Sequence, residues 1–208
     1  VPRPVTIAIL AGGKSSRFGG IDKQEISLDG EKLGRIAARS ALSTGAEVIV
    51  VGRNRRPYDA LPLAFAEDIV PGFGPLSGLH AALTMSRTAW VYLVACDMPF
   101  FNIDWLEYLL SCVDHYEALA LAARFDRYIE PFHALYSRSL IEPLDKVFKE
   151  GRESPRHFSC VRLMESVPHH FVPENVARAY TPDWKLFYSV NTPKDLEKLQ
   201  STSHAQLK

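Results

Sequence analysis

Three cations, Lys14, Arg17 and Lys23, fall within ten positions of one another in the stretch Leu-Ala-Gly-Gly-Lys-Ser-Ser-Arg-Phe-Gly-Gly-Ile-Asp-Lys, residues 10–23. Gly12 and Gly13 let backbone N–H groups come close to a flat base or a phosphate, because no Cβ stands in the way. Bare backbone beside clustered positive charge suits a polyphosphate. A reaction at an α-phosphorus also needs charge stabilised in flight. The other reading of the same residues is a solvated glycine turn with surface charges. Two standard phosphate loops do not fit. A Walker A loop needs glycine at position 8, which is alanine. A dinucleotide fingerprint needs Gly-x-Gly-x-x-Gly, but Gly12 and Gly13 are adjacent and the next glycine is Gly19.

Three further segments carry candidate chemistry. In Cys96-Asp97-Met98-Pro99, the Asp97 carboxylate stands just past an apolar run. It could hold Mg²⁺ together with phosphate oxygens, or cap the next turn. Glu67-Asp68 precedes Pro71-Gly72-Phe73-Gly74-Pro75-Leu76-Ser77-Gly78. Asp68 could accept from the N–H edge of a guanine, or simply start a turn. In Val190-Asn191-Thr192-Pro193, Asn191 could offer a neutral oxygen to a metal, or begin a helix.

These residues need a scaffold, and the apolar pattern describes one. Continuous apolar runs at 5–11, 46–52, 90–96 and 117–123 read as strands of a parallel sheet covered on both faces. Helical spacing lies between them at 31–43, at 77–86, and from Ile103 to Val113 with Asn102 as N-cap. Alternating strand and helix predicts an α/β fold, Rossmann-like and three-layered, with a mostly parallel central sheet. The glycine loop and Asp97 then share the carboxyl rim, where ligands of such sheets bind. Residues 130–136 read as an edge strand with Pro131 at its start. A helix at 138–149 ends at Gly151, and another runs from Thr192 to about Leu199, with Pro193 at its first turn and Thr192 as cap. Residues 1–200 are expected to form one domain, with 201–208 a frayed tail.

Composition narrows the function. The 208 residues carry 24 basic and 24 acidic side chains, a zero net charge that does not support nucleic-acid binding. No apolar run is long enough to span a bilayer, and residues 1–5 lack the h-region of a signal peptide. Cys96, Cys112 and Cys160 are odd in number and have no CxxC pair, which fits a reducing cytoplasm.

Leu-Ala-Gly-Gly-Lys-x-x-Arg-x-Gly-Gly-x-x-Lys, Gly-Pro-Leu-x-Gly, Cys-Asp-x-Pro and Asn-Thr-Pro occur in this order. With these motifs the chain resembles the molybdenum cofactor guanylyltransferases from about Ile7 to Leu199. The resemblance implies transfer of GMP from GTP to the terminal phosphate of metal-loaded molybdopterin, with release of pyrophosphate. It also implies Mg²⁺, a cytoplasmic location, and transient contact with other cofactor-biosynthesis proteins or recipient apo-enzymes. Carried onto matching positions, Leu10, Ala11, Gly12 and Gly13 would contact guanine and ribose through the backbone, and Lys23 would bind the phosphates. Arg17 and Lys14 would hold the leaving pyrophosphate. Asp68, with Gly52 and Gly78, would line the nucleotide site. Asp97 would hold Mg²⁺, with Asn191 near the metal and the pterin.

The chain departs from the family in places. Gly52 stands where an asparagine can face the nucleotide, and Asn54 lies two residues later. Residues 127–133 match the pterin side loosely, and Arg156 is the better basic candidate for the pterin phosphate. His133, His169 and His170 read as strand or surface histidines, and Phe100, Phe101 and Trp105 as packing residues. Competing readings are a cytidylyl transfer to molybdopterin, a sugar-phosphate or phospholactate nucleotidyltransferase, and a nucleotide-binding module without turnover. A dinucleotide-dependent oxidoreductase is disfavoured by the failed fingerprint.

Overall fold

Six consecutive residues with no exposed side chain, Thr6–Ala11, form the interior strand β1 in the computed structural model. The model describes residues 4–12, 14, 15, 19–151 and 158–205, the side chains of 14, 15 and 201–205 excepted. The other strands of the main sheet are β6 (Glu47–Gly52), β7 (Ala64–Ala66), β8 (Trp90–Ala95), β9 (Ala120–Phe125), β10 (Tyr128–Ser137) and β11 (His169–Pro173). Short hairpins β2 (Lys14–Ser15) with β3 (Ile21–Asp22), and β4 (Ser27–Leu28) with β5 (Glu31–Lys32), lie outside it.

The seven strands run in the order β11-β9-β10-β8-β1-β6-β7. Every pairing is parallel except those of β10, which is antiparallel to both β8 and β9. The helices are α1 (Leu33–Leu42), α2 (Pro75–Met85), α3 (Ile103–Tyr116), α4 (Ile141–Glu150), α5 (Cys160–Glu165), α6 (Glu174–Tyr180) and α7 (Pro193–Ala205). Residues of α1, α3 and α6 fill one core with Ile7, Ile9, Val48 and Tyr92. Residues of α2, α4 and α5 fill a second with Ala8, Leu10, Ile49 and Leu93. Adjacent residues of one strand supply opposite cores, which is why the strands read as unbroken apolar runs. This is the three-layer α/β arrangement expected.

Three expectations need correction. The 130–136 segment is not an edge strand: β10 lies inside the sheet, between β8 and β9. Pro131 cannot donate to a ladder, but the register with β9 shifts between Glu130 and Leu135, and the proline sits in that irregularity. The strand expected at 117–123 begins at Ala120, because Glu117 takes a left-handed conformation (φ 47°) to end α3. The last helix does not stop at Leu199; α7 continues through the first residues of the expected tail to Ala205. The caps were read correctly. Asn102 Oδ1 accepts from Trp105 N–H at 3.0 Å, and Thr192 Oγ1 accepts from Asp195 N–H at 3.2 Å. Trp105 and Phe101 pack in the sheet–helix layer as expected, whereas Phe100 joins a third, smaller core.

Candidate functional site

The Lys23 ammonium is the focus of the carboxyl rim. Its Nζ donates to Asp97 Oδ2 at 2.6 Å and to Asn191 Oδ1 at 2.6 Å. Asp97 stands 74 residues from Lys23 and Asn191 stands 168, so only the fold brings them together.

Each partner has its own support. The β2–β3 pairing sets Lys14 opposite Asp22, and Lys23 follows directly after β3. Lys23 opens a 3-10 turn to Glu25, with Asp22 as its cap. Asp22 Oδ2 accepts from Gln24 Nε2 at 2.7 Å, and Gln24 is fully buried. Glu25 accepts from Asn54 Nδ2 at 2.7 Å and pairs with Lys32. These contacts fix the turn from both sides, so Lys23 is presented from rigid backbone.

Asp97 follows β8, whose end is tied to β1 by Cys96 N–H donating to the Leu10 carbonyl at 3.0 Å. Asn191 arrives because Val190 N–H donates to the Asp97 carbonyl at 2.9 Å. The small core of Ile26, Leu33, Val190 and Leu199 joins the lysine turn to the Asn191 loop and α7. Asn191 Nδ2 donates to Ser189 Oγ at 3.0 Å, which aims Oδ1 at Lys23. Asp195 Oδ2 accepts from the backbone of Asn191 (3.0 Å) and Thr192 (2.8 Å), completing a reciprocal cap. Asn191 is therefore both a helix-start residue and a site residue.

The remaining nucleotide-side candidates lie on the β1, β6 and β7 half of this rim. Leu10 and Ala11 bury their side chains, so only their backbone can meet a ligand, and Gly12 is exposed beyond them. Gly52 and Gly78 are close-packing glycines. A Cβ on Gly52 would stand 2.8 Å from the Ala11 carbonyl oxygen, and one on Gly78 2.8 Å from Leu10 Cδ2. Both shape the floor under the glycine loop. Asp68 follows β7, half-buried; burial raises its pKa, Arg53 opposes that rise, and Glu67 adds to it. Asn54 is spent on Glu25 and on capping Arg56 N–H. Gly13, Arg17 and Arg156 lie outside the described residues, as does the side chain of Lys14.

Glu130, in β10, is a site neighbour that the motifs did not single out. It is 6% exposed, and burial pushes its carboxyl up to about 7. Hydrogen bonds from Phe132 N–H (3.0 Å) and Tyr128 Oη (3.2 Å) oppose the rise, and the charge of Asp97 adds to it. The sequence signal was a lone acid inside an apolar run. His133 lies deep in β10, and burial holds its pKa down at about 3, so it is neutral and structural.

The donor set suits a small hard cation. A carboxylate oxygen and an amide oxygen already converge on one ammonium, and Mg²⁺ usually takes one or two carboxylates with the rest from phosphates and water. Among the described residues no group of three or more His, Cys, Asp or Glu side chains is gathered for a metal. No described helix is long and apolar enough to cross a membrane.

Comparison with known proteins agrees with the geometry. Residues 7–163 match the MobA-like NTP transferase domain. A molybdenum cofactor guanylyltransferase of Syntrophotalea carbinolica is 36% identical over 190 residues, 91% of this chain and 88% of the relative. The solved molybdopterin-guanine dinucleotide biosynthesis protein A of Archaeoglobus fulgidus superposes with a TM-score of 0.79 at 26% identity, covering 96% of this chain and 99% of that one. The 2-C-methyl-D-erythritol 4-phosphate cytidylyltransferase of Francisella tularensis shares the fold, with a TM-score of 0.71 at 13% identity, over 95% of this chain and 99% of that one.

Proposed function

We propose, from the premise that this chain belongs to the molybdenum cofactor guanylyltransferase family of nucleotidyltransferases, that it transfers GMP from GTP to the terminal phosphate of molybdopterin. The observation that carries the reading is the meeting of Lys23, Asp97 and Asn191 beside the glycine loop. A phosphate oxygen of the acceptor forms a bond to the α-phosphorus, the bond from that phosphorus to the bridging oxygen breaks, and pyrophosphate leaves.

The nucleophile is already an anion at neutral pH, so no serine, cysteine or histidine is needed to generate it. All three cysteines are buried and free, and burial raises the thiol pKa of Cys96 and Cys160 far from the range of a reactive thiolate. The residues act by position and charge. The backbone of Leu10–Gly13 seats the base and ribose, and Asp68 accepts from the guanine edge. Lys23 offers a mobile point charge with three donors to the incoming phosphates. Arg17 and Lys14 take the leaving pyrophosphate.

Asp97 and Asn191 would hold Mg²⁺, which when bound supplies polarisation of phosphate oxygens. Lys23 donates to both of those oxygens and balances the charge of Asp97. An incoming triphosphate would give the Lys23 ammonium a new anionic partner, and Asp97 and Asn191 would be the residues left to hold the metal. The same proposal places the chain in the cytoplasm, with its product handed to recipient enzymes.

The test is calorimetric binding of GTP and CTP with and without Mg²⁺, followed by a pyrophosphate-release assay with molybdopterin. Binding of GTP over CTP, strengthened by Mg²⁺, with molybdopterin-dependent release of pyrophosphate, is expected. Preference for CTP would move the activity to cytidylyl transfer, and no release with molybdopterin would overturn the proposal.

A further inference from the structure

Gly34 is a poor helix former standing in the first turn of α1, and the reason lies in what faces it. A Cβ there would stand 2.5 Å from Tyr58 Oη and 2.9 Å from Gln24 Cβ. Tyr58 closes the 3-10 turn Arg56–Tyr58 in the loop after β6. Arg35 Nη1 donates to the carbonyls of Pro57 (3.2 Å) and Asp59 (3.0 Å), one on each side of Tyr58, so α1 holds that turn in place. The missing side chain at Gly34 lets the Tyr58 hydroxyl reach the turn that carries Lys23.

Two buried polar atoms at this contact have no hydrogen-bond partner among the described residues, Tyr58 Oη and Gln24 Oε1. Their chemistry is complementary. Burial raises the Tyr58 pKa far above that of an ordinary phenol, and the nearby Cys96 and Asp22 add to the rise, so the hydroxyl stays a donor. Gln24 Nε2 donates to Asp22 Oδ2 at 2.7 Å, and a carboxylate can only accept. Gln24 Oε1 is therefore the free acceptor. A buried donor and a buried acceptor left apart are both costly, so joining them is favourable. Asp22 and Gln24 flank Lys23, and a bond to Gln24 acts directly on the backbone that carries the lysine.

We infer that Tyr58 is a positioning residue for Lys23: its hydroxyl donates to Gln24 Oε1 and braces the 23–25 turn when the ammonium leaves Asp97 and Asn191 for the phosphates. The inference rests on the transfer reaction proposed above. Asp97 and Asn191 hold the lysine at its tip. Turning to the phosphates gives up both bonds, and the turn is then held by Asn54 and Lys32 at Glu25 and by Asp22 at Gln24. Tyr58 adds a fixed point beside the lysine from the same loop that supplies Asn54. A charge stabilises a transition state best when it is already in place.

The experiment is Tyr58→Phe, alone and combined with Lys23→Ala, read by pyrophosphate release from GTP with metal-loaded molybdopterin and by thermal unfolding. Phenylalanine keeps the ring that packs against Phe65 and removes only the hydroxyl. Tm is expected to equal or slightly exceed that of wild type, because the donor lost has no partner to abandon. kcat should fall about tenfold, the worth of one hydrogen bond, with KM for GTP and for molybdopterin within twofold. In the Lys23→Ala background the same change should alter kcat less than twofold, because the residue being positioned is gone. Wild-type kcat in Tyr58→Phe overturns the inference. So does a full tenfold loss in the Lys23→Ala background, since Tyr58 would then act without the lysine. A loss of kcat matched by a fall in Tm makes Tyr58 structural and overturns it too. A wild-type protein that binds GTP but transfers nothing to molybdopterin overturns the underlying reaction instead.

Discussion

Replacing Lys23 with alanine should separate two roles of one side chain. Its ammonium is 2.6 Å from both Asp97 Oδ2 and Asn191 Oδ1, and the Asp97 side chain is 7% exposed. Removing one partner of a fully buried ion pair costs about 3–5 kcal/mol. Lys23 is 24% exposed, so solvent offsets part of this, and roughly 2–3 kcal/mol is expected. For a chain of this size that lowers Tm by roughly 4–12 °C in chelator. Mg²⁺ should reverse the loss, because Asp97 and Asn191 no longer have a competing cation. The variant should therefore bind Mg²⁺ more tightly than wild type while turning over about 10²–10³-fold more slowly, the usual effect of removing a charge-stabilising donor. Scanning fluorimetry across a Mg²⁺ titration reads the first effect, and pyrophosphate release under saturating substrates reads the second. Weaker or equal Mg²⁺ stabilisation would refute the exchange of lysine for metal, and turnover within tenfold of wild type would remove Lys23 from the chemistry.

Asp97→Asn is expected to keep the fold but abolish the Mg²⁺ enhancement of GTP binding, with turnover down about 10²-fold or more; calorimetry at matched ionic strength checks it. Gly52→Ala should cost about 1–3 kcal/mol and weaken GTP binding, since its Cβ would meet the Ala11 carbonyl at 2.8 Å; urea denaturation and calorimetry measure both. For Glu130 the sign follows from a folded pKa of about 7 above an ordinary value of about 4.3. Its contribution is fully present below about pH 4.3 and is lost as pH rises through about 7, roughly 3 kcal/mol in all. Glu130→Gln should then gain stability relative to wild type between pH 5 and 8 in metal-free buffer, and parallel denaturation midpoints across that range would contradict it.

Much of this protein was legible in its sequence, because the relevant signals are local. The buried runs of β1, β6 and β8 announce a two-sided sheet, since each strand must fill both cores. The glycine loop and Asp97 could be named because chemistry at a phosphate needs those residue types at strand ends, and Asn191 because it opens a helix beside a proline. What failed was also local in form. Pro131 argued for an edge, yet a register shift lets β10 stay inside the sheet. Glu117 interrupted an apolar run whose first residues belong to a helix end.

The sequence by itself determined the fold class, the loop and the candidate cation and acids, through periodicity and residue type. The tertiary structure alone decided that Lys23, Asp97 and Asn191 meet at one point, because their separation along the chain carries no information about distance. It also decided that β10 lies inside the sheet, between β8 and β9. Strand order is set by the packing of whole helices against the sheet, and no local stretch encodes it.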